Sequence, residues 1–300
     1  MRLGTRGSPL ALAQANDVAA RLRQLGVEVA LVPIRTEGDR LLDARLATIG
    51  GKGLFVKEIE EALLAGAIDG AVHSLKDLPA ELPAGLALGA FPEREDPRDV
   101  LVTRAGARFE DLPARAVIGT SSPRRRALAL ALRPDLDVEP IRGNVDTRLR
   151  KLESGGWYAV ILAAAGLSRL GLAPAHAEPL STDVFVPAVG QGILALEVRE
   201  ADRRMRTLVD RLDHRATRAC ALAERAYLGR LGASCNTPMA AHAVLDGARL
   251  RMTAFVASED GRKVLRGGDS GAPAEAELIG LRLAESLLDR GAAAVTALKV

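Results

Sequence analysis

The chain has 300 residues, of which 48% are hydrophobic and 26% charged, which is typical of a globular protein with two or three domain cores. This composition excludes disordered, collagen-like and coiled-coil proteins, and no apolar run reaches the roughly 18 residues that a membrane-spanning helix needs. The 41 basic and 38 acidic residues leave a net charge of +3, so no strong overall charge points to a partner. With no apolar segment near the N-terminus, two cysteines and four dispersed histidines, the sequence predicts a cytoplasmic protein without a metal site.

Short apolar runs alternate with amphipathic segments of helical length through the first two-thirds of the chain. The apolar runs predict strands at 3–5, 27–34, 68–73, 86–90, 117–119, 138–141, 159–163 and 193–198. The amphipathic segments predict helices near 9–24, 54–65, 123–132 and 145–153. This alternation favours βαβ units and a mainly parallel sheet, so this part of the chain is predicted to be α/β.

The last third of the chain has a different pattern. Helices are predicted at 203–212 and 216–231, followed by strands at 239–246, 249–257 and 263–267 and a helix at 273–290, which together describe a small α+β domain. The segments 91–98 and 184–192 are predicted to cross between domains. Glycines on both sides of Gln191 favour a sharp turn that leaves its amide available to a ligand.

Three predicted helices begin at the end of a strand and carry arginine. Ser8 and Ser122 are each predicted to cap a helix whose first residue is proline, and Asn144 is predicted to cap the helix that contains Arg148. Helix capping alone explains each start taken singly. Because such starts attract anions at the ligand-binding end of an α/β sheet, and 35 of the 41 basic residues are arginine, the set predicts a ligand with several carboxylates or phosphates.

Five further residues lie in segments that are interpreted one by one. Lys76 and Asp77 follow an apolar run and form either a solvated turn or a place where a carboxylate stabilises a developing cation. Lys52 lies on a glycine-rich loop that could close over a cleft. Cys220 is on an amphipathic helix and reads as a small buried hydrophobe, whereas Cys235 lies in the loop after it, where covalent attachment is an alternative.

Six segments in order resemble the porphobilinogen deaminase (hydroxymethylbilane synthase) family and cover nearly the whole chain. They are Thr5-Arg6-Gly7-Ser8-Pro9, Gly50-Gly51-Lys52-Gly53-Leu54-Phe55, His73-Ser74-Leu75-Lys76-Asp77-Leu78-Pro79, Gly119-Thr120-Ser121-Ser122-Pro123-Arg124-Arg125, Arg142-Gly143-Asn144 with Thr147-Arg148, and Glu224-Arg225-Ala226 before Cys235. The resemblance implies an enzyme of tetrapyrrole biosynthesis that joins four porphobilinogen molecules head to tail and releases ammonia. It also implies a dipyrromethane cofactor in thioether linkage to Cys235.

The resemblance assigns roles residue by residue. Asp77 is the implied catalytic carboxylate, and Lys52 is the implied lid residue. The implied cofactor-binding residues are Lys76, Ser122, Arg124, Arg125 and Arg148. The implied residues for substrate or the growing chain are Arg6, Ser8, Arg142, Arg169 and Gln191. An arginine-rich cleft suits this chemistry, because each pyrrole ring carries an acetate and a propionate.

The implied fold is α/β, with two periplasmic-binding-protein-like α/β domains and a small α+β C-terminal domain. The expected bounds are 1–92 with 193–212, then 98–186, then 215–300, the last carrying the cysteine loop. Two departures from the family pattern are Thr48, where a second lysine is expected, and Ala233-Ser234, where two glycines are common. A monomer that binds porphobilinogen, with no nucleic acid and no membrane partner, is expected.

Two other classes of protein share some of these features. A non-enzymatic two-lobed binding domain for a polycarboxylate would use the same helix starts but would have no use for a loop cysteine. A nucleic-acid-binding protein would use the arginines and would lose affinity steeply with salt, but aromatic residues for base stacking make up only 3% of the chain.

Overall fold

The computed structural model describes residues 1–36, 56–232 and 237–296 of the chain. It divides into two units: Met1–Glu95 with Ile193–Arg218, and Asp96–Gly192 with Ala219–Val300. Each unit contains a five-stranded sheet, and the second also contains a three-stranded sheet. The three domain bounds expected from the sequence stay a prediction.

The described secondary structure follows the predicted elements closely. Strands β1 to β13 are Arg2–Arg6, Ala30–Ile34, Gly70–Ser74, Leu86–Ala90, Asp99–Thr103, Val117–Gly119, Asp137–Glu139, Ala159–Ala163, Ala177–Pro179, Leu194–Arg199, Met239–Asp246, Arg249–Ala257 and Val264–Gly271. Helices α1 to α9 are Pro9–Gln24, Lys57–Leu64, Pro123–Leu132, Val145–Glu153, Ala164–Arg169, Arg203–Asp210, Arg215–Arg230, Ala276–Asp289 and Ala292–Val295. Sequence analysis did not predict β5, β9, α5 or α9.

The sheet of the first unit has the order β2-β1-β3-β10-β4. Strands β1, β2 and β3 are parallel, whereas β10 is antiparallel to both of its neighbours, β3 and β4. Helix α1 packs on this sheet because its residues Ala15, Val18, Ala19 and Leu22, spaced at helical intervals, are all fully buried. The predicted parallel core is confirmed, and the returning segment after Gln191 supplies β10.

The sheet of the second unit repeats this plan with the order β7-β6-β8-β5-β9. Strands β6, β7 and β8 are parallel, and β5 is antiparallel to β8 and β9. The loops after β6 and β7 therefore leave the sheet at the same edge. The family resemblance implies two α/β domains, and the two α/β sheets are both present.

The C-terminal part of the second unit is the predicted α+β structure. Strands β11, β12 and β13 form an antiparallel sheet, and α7 and α8 contribute to the core beside it. Helices α7 and α8 approach closely at Gly280, because a Cβ there would collide with the backbone carbonyl oxygen of Ala223. The fold class predicted from the sequence is confirmed. Within the described residues, no helix combines the length and apolar character that crossing a membrane requires.

Candidate functional site

A small polar cavity in the first unit brings three of the predicted site residues together. Arg6, Ser8 and Asp77 line it, and its volume is about 40 Å³. His73 and Ser74, at the end of β3, line the same cavity. A guanidinium, a helix N-terminus and a carboxylate therefore share one space at the carboxyl end of parallel strands, where α/β sheets bind ligands.

Local hydrogen bonds explain how the first of these residues are held. Ser8 caps α1 as predicted, its Oγ accepting a hydrogen bond from the backbone N–H of Ala11 at 3.3 Å, with Pro9 as the first helical residue. Thr5 Oγ1 donates to the carbonyl oxygen of Ala11 at 3.1 Å. The positive end of the helix dipole is thereby fixed next to Arg6, which favours an anion.

Asp77 ends a short 3-10 turn, Leu75–Asp77, that directly follows β3. Leu75 is buried and anchors the turn, and its backbone N–H donates to the carbonyl oxygen of Ile193 at 2.9 Å. Asp77 itself is exposed, and Lys76 is half-buried. The turn thus presents a carboxylate to an incoming ligand while its apolar residue holds the backbone in place.

In the second unit, two of the predicted helix starts lie side by side. Because β6 and β7 are parallel, the loops that follow them meet, and Ser121 Oγ donates to the carbonyl oxygen of Ile141 at 2.7 Å. Ser122 caps α3 as predicted, accepting from the backbone N–H of Arg125 at 3.4 Å. Asn144 occupies the first position before α4, but its side chain makes no capping hydrogen bond, which differs from the prediction.

Arg124 and Arg125 converge on a carboxylate that sequence analysis did not single out, that of Asp99. Arg124 reaches Asp99 Oδ2 at 2.6 Å, and Arg125 reaches Asp99 Oδ1 at 2.7 Å. Burial alone would raise the pKa of Asp99, but the charges of the two arginines, with hydrogen bonds from Arg124 and Gln191, outweigh burial and lower it. Burial also lowers the pKa of Arg125. The three groups form a fully buried charged cluster at the base of the α3 start.

Gln191 lies in a tight turn between two glycines of positive φ, Gly190 at 71° and Gly192 at 86°. The sharp turn agrees with the prediction. The prediction that the side-chain amide is available to a ligand does not agree, because the amide nitrogen is already engaged. Gln191 is 1% exposed, and its Nε2 donates to the carbonyl oxygen of Pro97 at 2.7 Å and to Asp99 Oδ1 at 3.0 Å. Its amide nitrogen therefore holds the buried carboxylate in place.

Arg148 is a partly buried arginine in the first turns of α4. Its Nε donates to the carbonyl oxygen of Gly143 at 2.8 Å, and within the described residues no carboxylate pairs with it. Burial, with the positive charge of Arg125 second, lowers the pKa of Arg148 to about 10. An anionic ligand at this position would gain from both effects.

The other predicted residues are placed as follows. Arg142 and Arg169 are half-buried, and Arg169 donates to the carbonyl oxygen of Gly192 at 2.8 Å. Cys220 is 6% exposed on α7, as a buried hydrophobe should be. Lys52 and Cys235, together with Thr48 and Ala233-Ser234, lie outside the described residues.

Sequence analysis assigned no role to two further sets of buried titratable side chains, one in each unit. Glu224 is fully buried on α7 and accepts from the backbone N–H of Gly190 at 2.6 Å and of Ala243 at 2.8 Å. His73 Nε2 lies 3.0 Å from Glu197 Oε2, and both side chains are buried. The sequence signal that could have identified Glu197 and Glu224 is a carboxylate within an apolar run. Such a carboxylate is expected to be buried and therefore to need a hydrogen-bond or charge partner.

Two protein-family models match the chain. A family model described as "Porphobilinogen deaminase, dipyromethane cofactor binding domain" matches residues 1–207, and one described as "Porphobilinogen deaminase, C-terminal domain" matches residues 218–289. The described residues form a two-sheet α/β protein in which arginines lie at the starts of helices. The chain belongs to the porphobilinogen deaminase family.

Named relatives agree with this assignment. The chain is 51% identical over 293 residues to a porphobilinogen deaminase of Geotalea uraniireducens, which covers 97% of this chain and 92% of that one. It is 53% identical over 294 residues to one of Syntrophotalea carbinolica, covering 97% and 93%. Among solved structures, it is similar to the periplasmic VFT2 domain of Bordetella pertussis BvgS, with 13% identity, a TM-score of 0.43 and coverage of 71% and 86%.

Dipyrromethane carries four carboxylates, two on each pyrrole ring. The described residues fit such a group, since Arg148 lacks a carboxylate partner within the described chain and Arg124 Nε is buried with no hydrogen-bond partner there. The positive end of the helix dipole at the start of α3 also favours an anion. Two adjacent helix starts with these arginines therefore suit a compact, multiply charged anion.

Proposed function

We propose that this protein joins four porphobilinogen molecules head to tail into linear hydroxymethylbilane, releasing one ammonia for each. Membership of the porphobilinogen deaminase family supports the proposal. When bound, dipyrromethane supplies the pyrrole carbon to which the first substrate unit is joined.

Asp77 is the proposed catalytic residue. Loss of ammonia from porphobilinogen develops positive charge on the pyrrole and its methylene carbon, and a carboxylate near the ring N–H stabilises that charge. The exposed position of Asp77 beside Arg6 and Ser8 supports this role, since a substrate carboxylate on Arg6 would bring the ring to the carboxylate of Asp77.

The observation that carries the cofactor part of the proposal is the uncompensated charge of Arg148 next to Arg125. We assign the cofactor carboxylates to Lys76, Ser122, Arg124, Arg125 and Arg148. Arg124 and Arg125 are already paired with the carboxylate of Asp99. In this assignment, Arg148 therefore neutralises more of the negative charge of the cofactor carboxylates than either of them.

Substrate and growing chain are assigned to a further set of polar residues: Arg6, Ser8, Arg142, Arg169 and Gln191. Because the Gln191 amide nitrogen already binds Asp99, its proposed part is to shape the turn. Lys52 is the proposed lid residue. The same proposal includes the domain bounds given above. It also includes a cytoplasmic location, a monomeric state and no nucleic-acid or membrane partner.

Cys235 is the proposed attachment point, in the loop of the third domain. The test is the intact mass of the denatured protein beside those of Cys235→Ser and Cys220→Ser. We expect the wild type and Cys220→Ser to be heavier than the polypeptide by the mass of two porphobilinogen units less two ammonia. Cys235→Ser should have the mass of the polypeptide alone.

If the wild type has the mass of the polypeptide alone, it is next incubated with porphobilinogen. An enzyme gains the adduct and releases ammonia. A wild-type mass that stays unchanged, with no ammonia released, would contradict the enzyme proposal and favour a polycarboxylate-binding domain.

A further inference from the structure

Three titratable side chains are buried together in the first unit, on three different elements. They are Glu60 on α2, His73 on β3 and Glu197 on β10, with exposures of 7%, 5% and 0%. His73 Nε2 lies 3.0 Å from Glu197 Oε2. The role proposed above for Asp77 does not use any of them.

The two carboxyl groups are short of hydrogen-bond donors. Within the described residues, Glu60 Oε1 and Glu197 Oε1 are buried and neither has a hydrogen-bond partner. Burial, followed by the negative charge of Glu197, raises the pKa of Glu60, and His73 acts in the opposite direction. A proton on Glu60 removes one buried charge next to the carboxylate of Glu197, so Glu60 keeps its proton more readily than a glutamate in water does.

Most other charged groups on the surrounding elements are engaged elsewhere. They are Arg2 and Arg6 of β1, Asp17, Arg21 and Arg23 of α1, Lys57, Glu58 and Glu61 of α2, Arg199 of β10, Arg203, Arg204, Arg206 and Asp210 of α6, and Lys76 and Asp77 after β3. Arg199 binds the carbonyl oxygens of Leu63 and Ile68, and Arg2 pairs with Asp69. Arg6 and Asp77 share the cavity with His73.

Of the three buried residues, His73 lines the cavity that also contains Arg6 and Asp77. The cavity measures about 40 Å³, and one water needs roughly 10–15 Å³ of such space together with polar partners. Arg6, His73 and Asp77 all provide polar atoms around it. A water molecule in the cavity can therefore carry a proton between His73 and a group bound beside Asp77.

We propose that Glu60, Glu197 and His73 hold one exchangeable proton and pass it through the cavity to and from the reacting groups. The proposal rests on the proposed function. The amine nitrogen takes the proton and leaves as ammonia with the electron pair of the broken C–N bond. The accepting pyrrole carbon then forms the new C–C bond and loses its proton, whose bonding electrons restore the aromatic ring, and this proton returns to the three residues.

In this proposal the three residues do not contact the substrate. They hold the proton at a position from which the cavity leads to the reacting groups.

The first test is infrared spectroscopy of the holoprotein across pH, which detects a protonated carboxylic acid. We expect an acid band in the wild type that is absent in Glu60→Gln and present in Glu61→Gln, an exposed neighbour on the same helix. In Glu197→Gln the band should disappear at a lower pH, because the negative charge of Glu197 helps Glu60 keep its proton. A wild type without the band overturns the proposal.

The second test is the pH dependence of ammonia release from porphobilinogen. Glu60→Gln should lower kcat about tenfold, less than loss of a directly acting acid or base, with KM changed by less than about twofold. In the wild type, kcat should fall with rising pH in step with the acid band, and in Glu197→Gln both changes should move to lower pH together. Glu61→Gln should match the wild type throughout.

The outcomes separate this proposal from the proposed function. If kcat of a folded Glu60→Gln variant equals that of the wild type at every pH, the proton-holding role is wrong although the enzyme is active. If the wild type shows the acid band but releases no ammonia from porphobilinogen, the proposed function is overturned.

Discussion

Gln191 and Asp99 are 92 residues apart in sequence, and the Gln191 amide nitrogen donates to Asp99 Oδ1 at 3.0 Å. The same oxygen accepts from Arg125, and the other oxygen of the carboxylate binds Arg124. One carboxylate thus fixes the turn at 190–192 and the orientation of two arginines at the start of α3. Removing it would disturb all of these at once.

Asp99→Asn should destabilise the protein strongly. It leaves two buried guanidinium groups without a counter-charge, and loss of one partner from a buried pair costs about 3–5 kcal/mol. Urea unfolding at pH 7 measures this free energy. The control is Asp137→Asn, which breaks an exposed pair with Arg115 and should cost less than about 1 kcal/mol. Equal stability of the two variants would contradict the structural role of Asp99.

The stability contributed by Asp99 should depend on pH with a defined sign. Its pKa is lowered in the folded protein, so the folded state binds fewer protons than the unfolded chain, whose aspartates titrate near about 3.9. This contribution is complete above that value and is lost as the pH falls below it. The difference in unfolding free energy between the wild type and Asp99→Asn should therefore be constant from pH 7 to about 5 and shrink toward pH 3. A difference that widens on acidification would contradict the assignment.

Arg148→Gln should weaken cofactor incorporation without unfolding the protein. A charge-assisted hydrogen bond contributes about 1.5–3 kcal/mol, so incorporation at limiting porphobilinogen should fall about tenfold to hundredfold. Mass spectrometry of apoprotein incubated with porphobilinogen measures it. Arg150→Gln, an exposed position on the same helix, is the matched control. If both variants incorporate the adduct equally, Arg148 does not bind the cofactor.

Asp77→Asn should abolish turnover while leaving the fold intact. The substitution keeps the shape of an exposed side chain but removes the charge that stabilises the developing cation, a change worth about 10²–10³ in kcat. Ammonia release measures kcat, and thermal unfolding should give the wild-type Tm. Glu81→Gln, an exposed carboxylate four residues further on, should have wild-type activity. A variant that retains most of its kcat with substrate in excess would show that another group is responsible.

Local signals were sufficient for part of this site. Ser8 and Ser122 cap their helices as predicted, since a cap depends only on residues within one turn. Asn144 shows the limit of this reasoning, because its position before α4 is correct but its side chain makes no cap hydrogen bond. A residue type favours a cap without fixing its rotamer.

Contacts between distant segments could not be predicted. Asp99 lies next to a charged segment that reads as a domain crossing, yet it begins the buried strand β5 and meets arginines 25 and 26 residues later. His73 and Glu197 are 124 residues apart and meet only because β10 inserts beside β3. Composition and spacing contain no information on that pairing.

The place of β10 between β3 and β4 constrains how this chain folds during synthesis. These strands end at Ser74 and Ala90, but β10 begins at Leu194, about a hundred residues later. Until the ribosome has released Arg199, β3 and β4 each keep an edge without its native partner, and an open edge can pair with other chains. Strands β5 to β9, which form the five-stranded sheet of the second unit, lie between these segments in sequence and are translated before the first sheet can close. The first unit therefore completes its sheet only after those five strands have been synthesised.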